Sequence, residues 1–218
     1  MRTPNLKRLA LTGFAAIIAA PVGVQAAEPS KAAPTAYVAH LKSMNDKVTG
    51  HDASGDARFT IAGDKLTISI DMKGVPPNMA HWQHFHGFKD NTDAVCPTAA
   101  ADANGDAIID LIETGPAAGT TMVPFNADPV AMNIPDDTYP KASANGTYHY
   151  SKTVSLKAMT AAFAKAFGST NLDLDRRVVF IHGVPPATAL PASVASLGPI
   201  PAQVTLPIAC GKIERAAQ

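Results

Sequence analysis

Hydrophobic and polar residues alternate along two neighbouring stretches in the first third of the chain. The first stretch includes Phe59 and Ile61, and the second runs from Leu66 to Met72, with residues 62–65 between them. Side chains of an extended strand point alternately to opposite faces, so this period of two predicts strands with one buried face. The short connection, which contains a glycine, predicts that the two strands form a β-hairpin.

The spacing of apolar residues changes further along the chain. Between residues 155 and 167 it becomes three and four, which predicts an α-helix, with Ser155 as a suitable N-cap and Gly168 as its stop. Alternation returns at residues 177–182 before a Gly-Val-Pro-Pro break, which predicts another strand. Apolar residues at positions 37–44 indicate a short helix.

Composition and charge fit one folded domain over residues 27–218. The chain is 46% hydrophobic and 17% charged, which is typical of a globular protein, and 18 prolines suit a β protein with many loops. The formal net charge is zero, so neither nucleic acid nor an anionic membrane surface is expected as a partner. Metal ions or small molecules fit better.

The N-terminus has the pattern of a signal peptide over residues 1–26. Basic residues at its start precede a short apolar stretch. Val24-Gln25-Ala26 then fits the small-residue pattern at which signal peptides are cleaved. The apolar stretch is interrupted by Pro21, which disfavours a retained membrane anchor. We therefore expect an exported protein, periplasmic or secreted, with no membrane association after cleavage.

Three histidines occur within the segment His81-Trp82-Gln83-His84-Phe85-His86-Gly87. His84 and His86 are two residues apart, so in an extended strand they project from the same face and can bind one ion together. Imidazole favours copper, zinc, iron or nickel over calcium or magnesium. The segment therefore predicts half of a metal site, although such histidines also occur as surface or hydrogen-bonded core residues.

A second histidine-bearing strand supplies a candidate for the other half. His182 ends the strand predicted at residues 177–182 and shares a face with Val178 and Phe180. If the two strands end together at the rim of a barrel or sandwich, they provide three nitrogen ligands. Spacing along the chain leaves open whether they do.

Four blocks of the chain resemble the copper/zinc superoxide dismutase family. Residues 48–77 are similar to its opening hairpin and the turn after it, and residues 81–96 to its copper strand and disulfide loop. Residues 178–182 resemble its last copper strand, and Ala209-Cys210-Gly211-Lys212-Ile213 its C-terminal cysteine strand. The resemblance implies a mostly β, Greek-key barrel or sandwich of the superoxide dismutase type, with a loop-rich and partly helical insertion at about 97–175.

The resemblance also implies roles for individual residues. His84, His86 and His182 would bind copper, and a small anion such as superoxide would be the substrate. Cys96 and Cys210 would form a disulfide, which an even number of cysteines in an exported chain also favours. Two buried free thiols are the alternative.

The chain departs from the family in two places. After Cys96 no residues match the family's zinc ligands, and His149, alone in the middle region, lies in an unrelated context. The arginine that the family places three residues before the second cysteine is Pro207 here. The expected protein is therefore a copper-only variant, in which another cation would have to attract an anion. The candidates for that cation are Lys89, Lys212 and Arg215.

Residues 102–113 have the pattern of an EF-hand calcium loop. Such a loop needs oxygen ligands at positions 1, 3, 5, 7, 9 and 12. The chain offers the following residues at those positions: Asp102, Asn104, Asp106, the Ile108 carbonyl, Asp110 and Glu113. The sixth position, normally glycine, is Ala107, where a left-handed backbone would cost about 1–2 kcal/mol. A structural calcium is expected, and a solvated acidic turn is the alternative.

Three functions are compatible with these residues. The first is a copper-only, dismutase-like enzyme, and the second is a non-catalytic protein that binds or stores copper. The third is a calcium-stabilised structural module of the chordin type, a family that the chain resembles more weakly through a histidine signature. In that module the histidines would be hydrogen-bonded strand residues.

Overall fold

The computed structural model of the chain describes Met1, residues 33–90 and residues 92–217. Apart from Met1, the predicted signal peptide lies outside the described residues. Strands dominate the described part. They are β1 Thr35–Ser43, β2 Ser54–Ala62, β3 Lys65–Lys73, β4 Gln83–Gly87, β5 Thr120–Pro124, β6 Tyr148–Ser155, β7 Val178–His182 and β8 Pro207–Arg215.

The eight strands form one curled antiparallel sheet in the order β5-β4-β7-β8-β1-β2-β3-β6. This sheet confirms the prediction of a mostly β domain. The Greek-key barrel of the superoxide dismutase type stays a prediction, because curled antiparallel sheets occur in many families of β proteins.

The alternating apolar residues form the predicted hairpin. β2 and β3 pair without interruption from Ser54↔Lys73 to Ala62↔Lys65. Gly63 in the turn has a φ of 57°, a left-handed conformation that glycine adopts without steric cost. The apolar side chains of β3 are buried while most polar ones between them are not, so one face of the hairpin covers the core.

The short helix predicted at residues 37–44 is wrong, since the structure has β1 there. β1 lies between β2 and β8 and pairs with both. Ala39 and Leu41 are buried in the core. Partners on both sides satisfy the backbone hydrogen bonds of β1, so tertiary pairing overrides the weak helical spacing of its apolar residues.

Helices are short except for one. The described helices are α1 Asp46–Thr49, α2 Gly115–Ala118, α3 Leu156–Phe167 and α4 Ala202–Thr205, with 3₁₀ turns at Ala99–Ala101, Pro129–Ala131 and Leu174–Arg176. α3 confirms the predicted helix: Ser155 Oγ accepts a hydrogen bond from Ala158 N at 3.1 Å, and Gly168 follows its last turn with a φ of 81°. In the part of the chain that is described, no helix is long and apolar enough to cross a membrane.

The region expected to be an insertion also contributes the two edge strands of the sheet. β5 pairs with β4 at one edge, and β6 pairs with β3 at the other. The same region contains α3, whose Met159 and Phe163 are buried in the core. Residues 97–175 are therefore integrated into the domain.

The two faces of β4 and β7 have different surroundings. Phe85 of β4, with Val179 and Ile181 of β7, belongs to the main hydrophobic core. Val178 and Phe180 of β7 belong to a second, smaller cluster. Because side chains alternate along a strand, the histidines of both strands lie on the face of the second cluster.

A disulfide joins Cys96 to Cys210, as the sequence predicts. It connects the loop after β4 to β8, and 114 residues separate the two cysteines along the chain. Closing a loop of that size removes conformational entropy from the unfolded chain, worth about 4–5 kcal/mol in the entropic model. The bond is typical of proteins that fold in an oxidising compartment.

Candidate metal centre

His84, His86 and His182 meet on one face of neighbouring strands. β4 pairs with β7 so that His84 lies opposite Phe180 and His86 lies opposite Val178. The ring centroid of His84 lies 4.8 Å from that of His86 and 4.6 Å from that of His182. The convergence that the sequence left open is therefore present.

Irregular strand pairing adjoins two of these histidines. The register between β4 and β5 shifts between Phe85 and His86, and the register between β7 and β8 shifts between Ile181 and His182. Such irregularities change the direction of side chains locally and are frequent beside functional sites.

The three imidazoles offer one set of nitrogen ligands. One nitrogen from each ring lies within 4.8 Å of the others, and all three residues are buried. Among the described residues, this is the one group of three or more His, Cys, Asp or Glu with such a geometry. Bonds of about 2.1 Å to one ion keep ligand nitrogens within about 4.2 Å of each other, so binding requires a small contraction of the group.

Each of these rings has a buried nitrogen without a hydrogen-bond partner in the described part of the protein. The atoms are Nδ1 of His84, Nδ1 of His86 and Nε2 of His182. A buried polar atom without a partner costs about 1–3 kcal/mol. A metal ion bound at these three nitrogens removes that cost, so the residues present fit such a group.

The other nitrogens of His86 and His182 contact residues that orient the rings. His86 Nε2 lies 3.0 Å from Thr121 Oγ1 on β5, and His182 Nδ1 lies 2.7 Å from the Thr205 carbonyl oxygen in α4. The carbonyl can only accept, so His182 donates from Nδ1 and directs the lone pair of Nε2 toward the group. Partners of this kind are usual around metal-binding histidines.

Burial keeps the three imidazoles neutral. Desolvation, followed by the neighbouring His182, lowers the pKa of His86 to about 3, and desolvation lowers the pKa of His182 to about 4. The pKa of His84 falls well below its usual value, mainly through burial and then through the two other imidazoles. Neutral imidazole is the form that binds metals.

A cavity of about 490 Å³ opens in front of the histidines. Its walls come from β4, from the loop before β5, from the loop after β5 and from the segment before β8. The lining residues besides the histidines are mostly apolar or small, and the large apolar ones and the proline are Trp82, Leu111, Ile112, Ile134, Leu197 and Pro135. The site is thus accessible to a small molecule from one side.

The residues of the expected calcium loop are brought together, but their oxygens accept hydrogen bonds from the loop itself. Asp102 accepts from the backbone of Gly105, Asp106 and Ala107. Glu113 accepts from the backbone of Ala103 and Asp110. These bonds stabilise an acidic turn on their own, so calcium at this loop stays a prediction.

One detail of the loop agrees with the EF-hand pattern. Ala107, at the sixth position, has a φ of 65°, the left-handed conformation that the pattern expects there. Asp110, at the ninth position, is buried and accepts backbone hydrogen bonds from Ile112 at 2.8 Å and from Ala195 at 2.7 Å. Asp110 therefore connects the loop to the segment that precedes α4.

The candidate cations for attracting an anion do not line the cavity. Lys89 lies over the ring of Phe167, and Lys212 lines a separate groove beside the disulfide. Arg215 is exposed at the end of β8. No described residue that lines the cavity is charged, so the lining supplies no cation to attract an anion.

Sequence reasoning missed a buried arginine that supports the site. Arg177, 1% exposed, donates from Nε to the Leu172 carbonyl at 2.9 Å and from a terminal nitrogen to the Phe88 carbonyl at 2.8 Å. It occupies the space beside Gly87, where a Cβ atom would lie 2.3 Å from it. Gly87 was the available signal, since glycine in a strand often marks a close approach.

His81 has a different role from its neighbours. Its two ring nitrogens lie 3.0 Å from the His182 carbonyl oxygen and 2.8 Å from the Pro76 carbonyl oxygen. Both nitrogens face carbonyl oxygens outside the ligand group, and the neutral ring donates to one of them, so His81 does not join that group.

Comparison of the sequence with known protein families finds no family that matches, and no curated protein matches it significantly. The interpretation of the site therefore rests on its own geometry and chemistry.

Proposed function

We propose that this chain is an exported, copper-binding protein of superoxide dismutase-like type, with copper held by His84, His86 and His182. The observation that carries the proposal is the convergence of three neutral, buried imidazoles, each with an unpartnered nitrogen. Hydrogen-bonded strand residues, as in a structural module of the chordin type, would not leave those nitrogens without partners.

Copper is favoured over other ions by the ligands. Imidazole sites bind Cu²⁺ more tightly than Zn²⁺ or Ni²⁺ in the usual affinity order, and three nitrogens leave copper an open coordination position. When bound, copper supplies one-electron redox chemistry. Thr121 and Thr205 orient the imidazoles, and the cavity gives access to the open side.

Titration of the metal-free, disulfide-bonded protein with copper and zinc tests this proposal. We expect one tight copper site per chain and weaker binding of zinc in competition. Failure to bind either metal at one site per chain would contradict the proposal.

Superoxide dismutation is a second candidate function, which the accessible cavity favours. The described lining residues supply no cation, so any attraction for the anion would come from the bound copper itself, and we expect turnover below the diffusion limit with a modest dependence on ionic strength. The measurement is superoxide turnover by the copper-loaded protein at low and high salt. Copper binding without turnover would favour a protein that binds or stores copper.

The proposal also includes export of the protein and calcium binding by the acidic loop. The disulfide supports an oxidising compartment, and the N-terminal pattern supports export. Calcium at Asp102, Asn104, Asp106, Ile108, Asp110 and Glu113 would have to compete with the backbone donors of the loop. Calcium titration of the metal-free protein, followed by calorimetry, tests this part separately from copper.

A further inference from the structure

Apolar side chains from four separate segments form the walls of the cavity in front of the histidines. Leu111 and Ile112 come from the acidic loop, Ile134 from the loop after β5, and Leu197 from the segment before α4, while Trp82 lies beside β4. Two of the four large hydrophobic side chains exposed in the described part of the chain are here: Ile112 is 64% exposed and Leu197 is 43% exposed. Clustered exposed apolar residues commonly mark binding sites.

Hydrogen bonds hold these walls in place without a ligand. Tyr139 stacks on Trp82 with ring centroids 5.5 Å apart, and its hydroxyl donates to the Ile134 carbonyl at 2.8 Å. Asp110 accepts from the backbone of both Ile112 and Ala195, which lies two residues before Leu197. The cavity is therefore preformed, which lowers the entropic cost of binding.

The size and charge of the cavity indicate the class of ligand. Its volume of about 490 Å³ lies within the range of small-molecule sites, roughly 300–1,000 Å³, and far exceeds the needs of a diatomic anion. The polar side chains among the described lining residues are those of threonines and of the three histidines. Without a lysine or arginine among the described lining residues, an anion entering the metal-free cavity would lose its hydration without gaining a charged partner.

We propose that this cavity binds a small, uncharged organic molecule with an apolar body and one hydroxyl or similar neutral donor atom directed toward the three histidines. The inference concerns the metal-free protein, so it does not rest on the proposed copper site, whose bound ion would add a positive charge. The apolar body contacts Trp82, Ile112 and Ile134 whether or not metal is bound.

Trp82 allows a direct test because it is the only tryptophan in the chain. Its single indole N–H resonance is followed by NMR in the metal-free protein during titration with benzyl alcohol and, separately, with benzoate. These probes share a ring and one substituent carbon and differ in charge. We expect saturable shifts with benzyl alcohol and binding of benzoate that is weaker by about tenfold or more, because burying an unpaired carboxylate is costly.

Two variants locate the probe. Ile112→Asp places a charge at the cavity mouth, whereas Val95→Asp changes another exposed apolar residue that does not line the cavity. We expect Ile112→Asp to weaken benzyl alcohol binding by about tenfold and Val95→Asp to leave it unchanged. Both side chains are exposed, so both variants are expected to fold, which circular dichroism checks.

The outcomes separate this inference from the proposed function. Copper binding without saturable benzyl alcohol binding would overturn the inference and leave the copper site standing. Benzyl alcohol binding without copper binding would contradict the proposed function and still support the ligand class. Tighter binding of benzoate than of benzyl alcohol, or equal effects of the two variants, would overturn the inference.

Discussion

Histidines occur in two contrasting settings in this molecule. On the outer face of the sheet, His40 Nδ1 lies 2.6 Å from Asp56 and His149 Nδ1 lies 2.7 Å from Asp71, with both imidazoles more than 60% exposed. His84, His86 and His182 are buried and have no carboxylate partner within the described ion pairs. Each surface imidazole already has a carboxylate partner and contact with water. Each buried imidazole has a nitrogen without a hydrogen-bond partner in the described part of the protein, which a bound ligand would satisfy.

Residue type alone therefore does not identify a metal site. A histidine beside a carboxylate at the surface gains little free energy, because water screens the pair. A buried imidazole is held neutral and keeps its lone pair for a metal.

The stability of the metal-free protein is expected to fall as pH decreases from about 7 to about 5. The unfolded chain takes up protons near the ordinary histidine pKa of 6.5, while in the folded state the pKa values of His86 and His182, about 3 and about 4, keep these residues neutral. The free energy of unfolding therefore decreases by about 2 kcal/mol for each of them, or about 4 kcal/mol for both. Urea denaturation at several pH values measures this change.

The matched control for the pH effect is His149→Ala. Its pH dependence should follow that of the unchanged protein, because the buried residues are intact. Stability that is independent of pH in this window would contradict the assignment of neutral, buried imidazoles.

Substitution of one proposed ligand is expected to have the next largest effect. His86→Ala should weaken copper binding by about a hundredfold or more, since loss of an orienting partner alone typically costs 10- to 100-fold. His149→Ala should leave the affinity unchanged. Competition titration against a copper chelator measures both, and equal effects of the two substitutions would show that the ligand group is wrong.

The orienting hydroxyl of Thr121 is expected to contribute less than the ligands themselves. Thr121→Val removes the contact with His86 Nε2 and preserves the shape, so copper affinity should fall by about tenfold. Thr153→Val is the control, because it removes a similar hydroxyl contact, to Thr67, on the sheet surface. The same titration measures both variants. If Thr153→Val lowers the copper affinity as much as Thr121→Val, the Thr121 hydroxyl does not act by orienting His86.

The smallest effect is expected for the surface pairs themselves. His149→Ala should change the free energy of unfolding at neutral pH by less than about 1 kcal/mol, because the ion pair with Asp71 is exposed. Urea denaturation measures the difference. A decrease of several kcal/mol in the free energy of unfolding would show that the exposed pair of His149 and Asp71 contributes substantially to stability, contrary to this prediction.

Local patterns predict what depends on local structure. Alternation identified the hairpin of β2 and β3, and a cap at Ser155 with a stop at Gly168 identified α3. The spacing of His84 and His86 predicted their common face, and the face of His182 followed from the alternation in β7. These features depend on residues close together in the chain.

Features that depend on tertiary contacts were not predictable in the same way. The apolar spacing within β1 predicts a helix, because its strand partners, β2 and β8, lie far away in the sequence. The burial of Arg177 and the apolar walls of the cavity arise from segments far apart in the chain. The sequence alone shows that the zinc ligands of the resembled family are lacking. Only the structure shows that no described residue lining the cavity is a cation.

Electron paramagnetic resonance of the copper(II)-loaded protein, with ¹⁵N-labelled histidine, shows whether His84, His86 and His182 bind the copper. We expect coupling of one copper ion to nitrogens of three imidazoles, with one coupling lost in His182→Ala and none lost in His149→Ala. Coupling that persists in His182→Ala and disappears in His149→Ala would place the copper at the sheet surface and contradict the account.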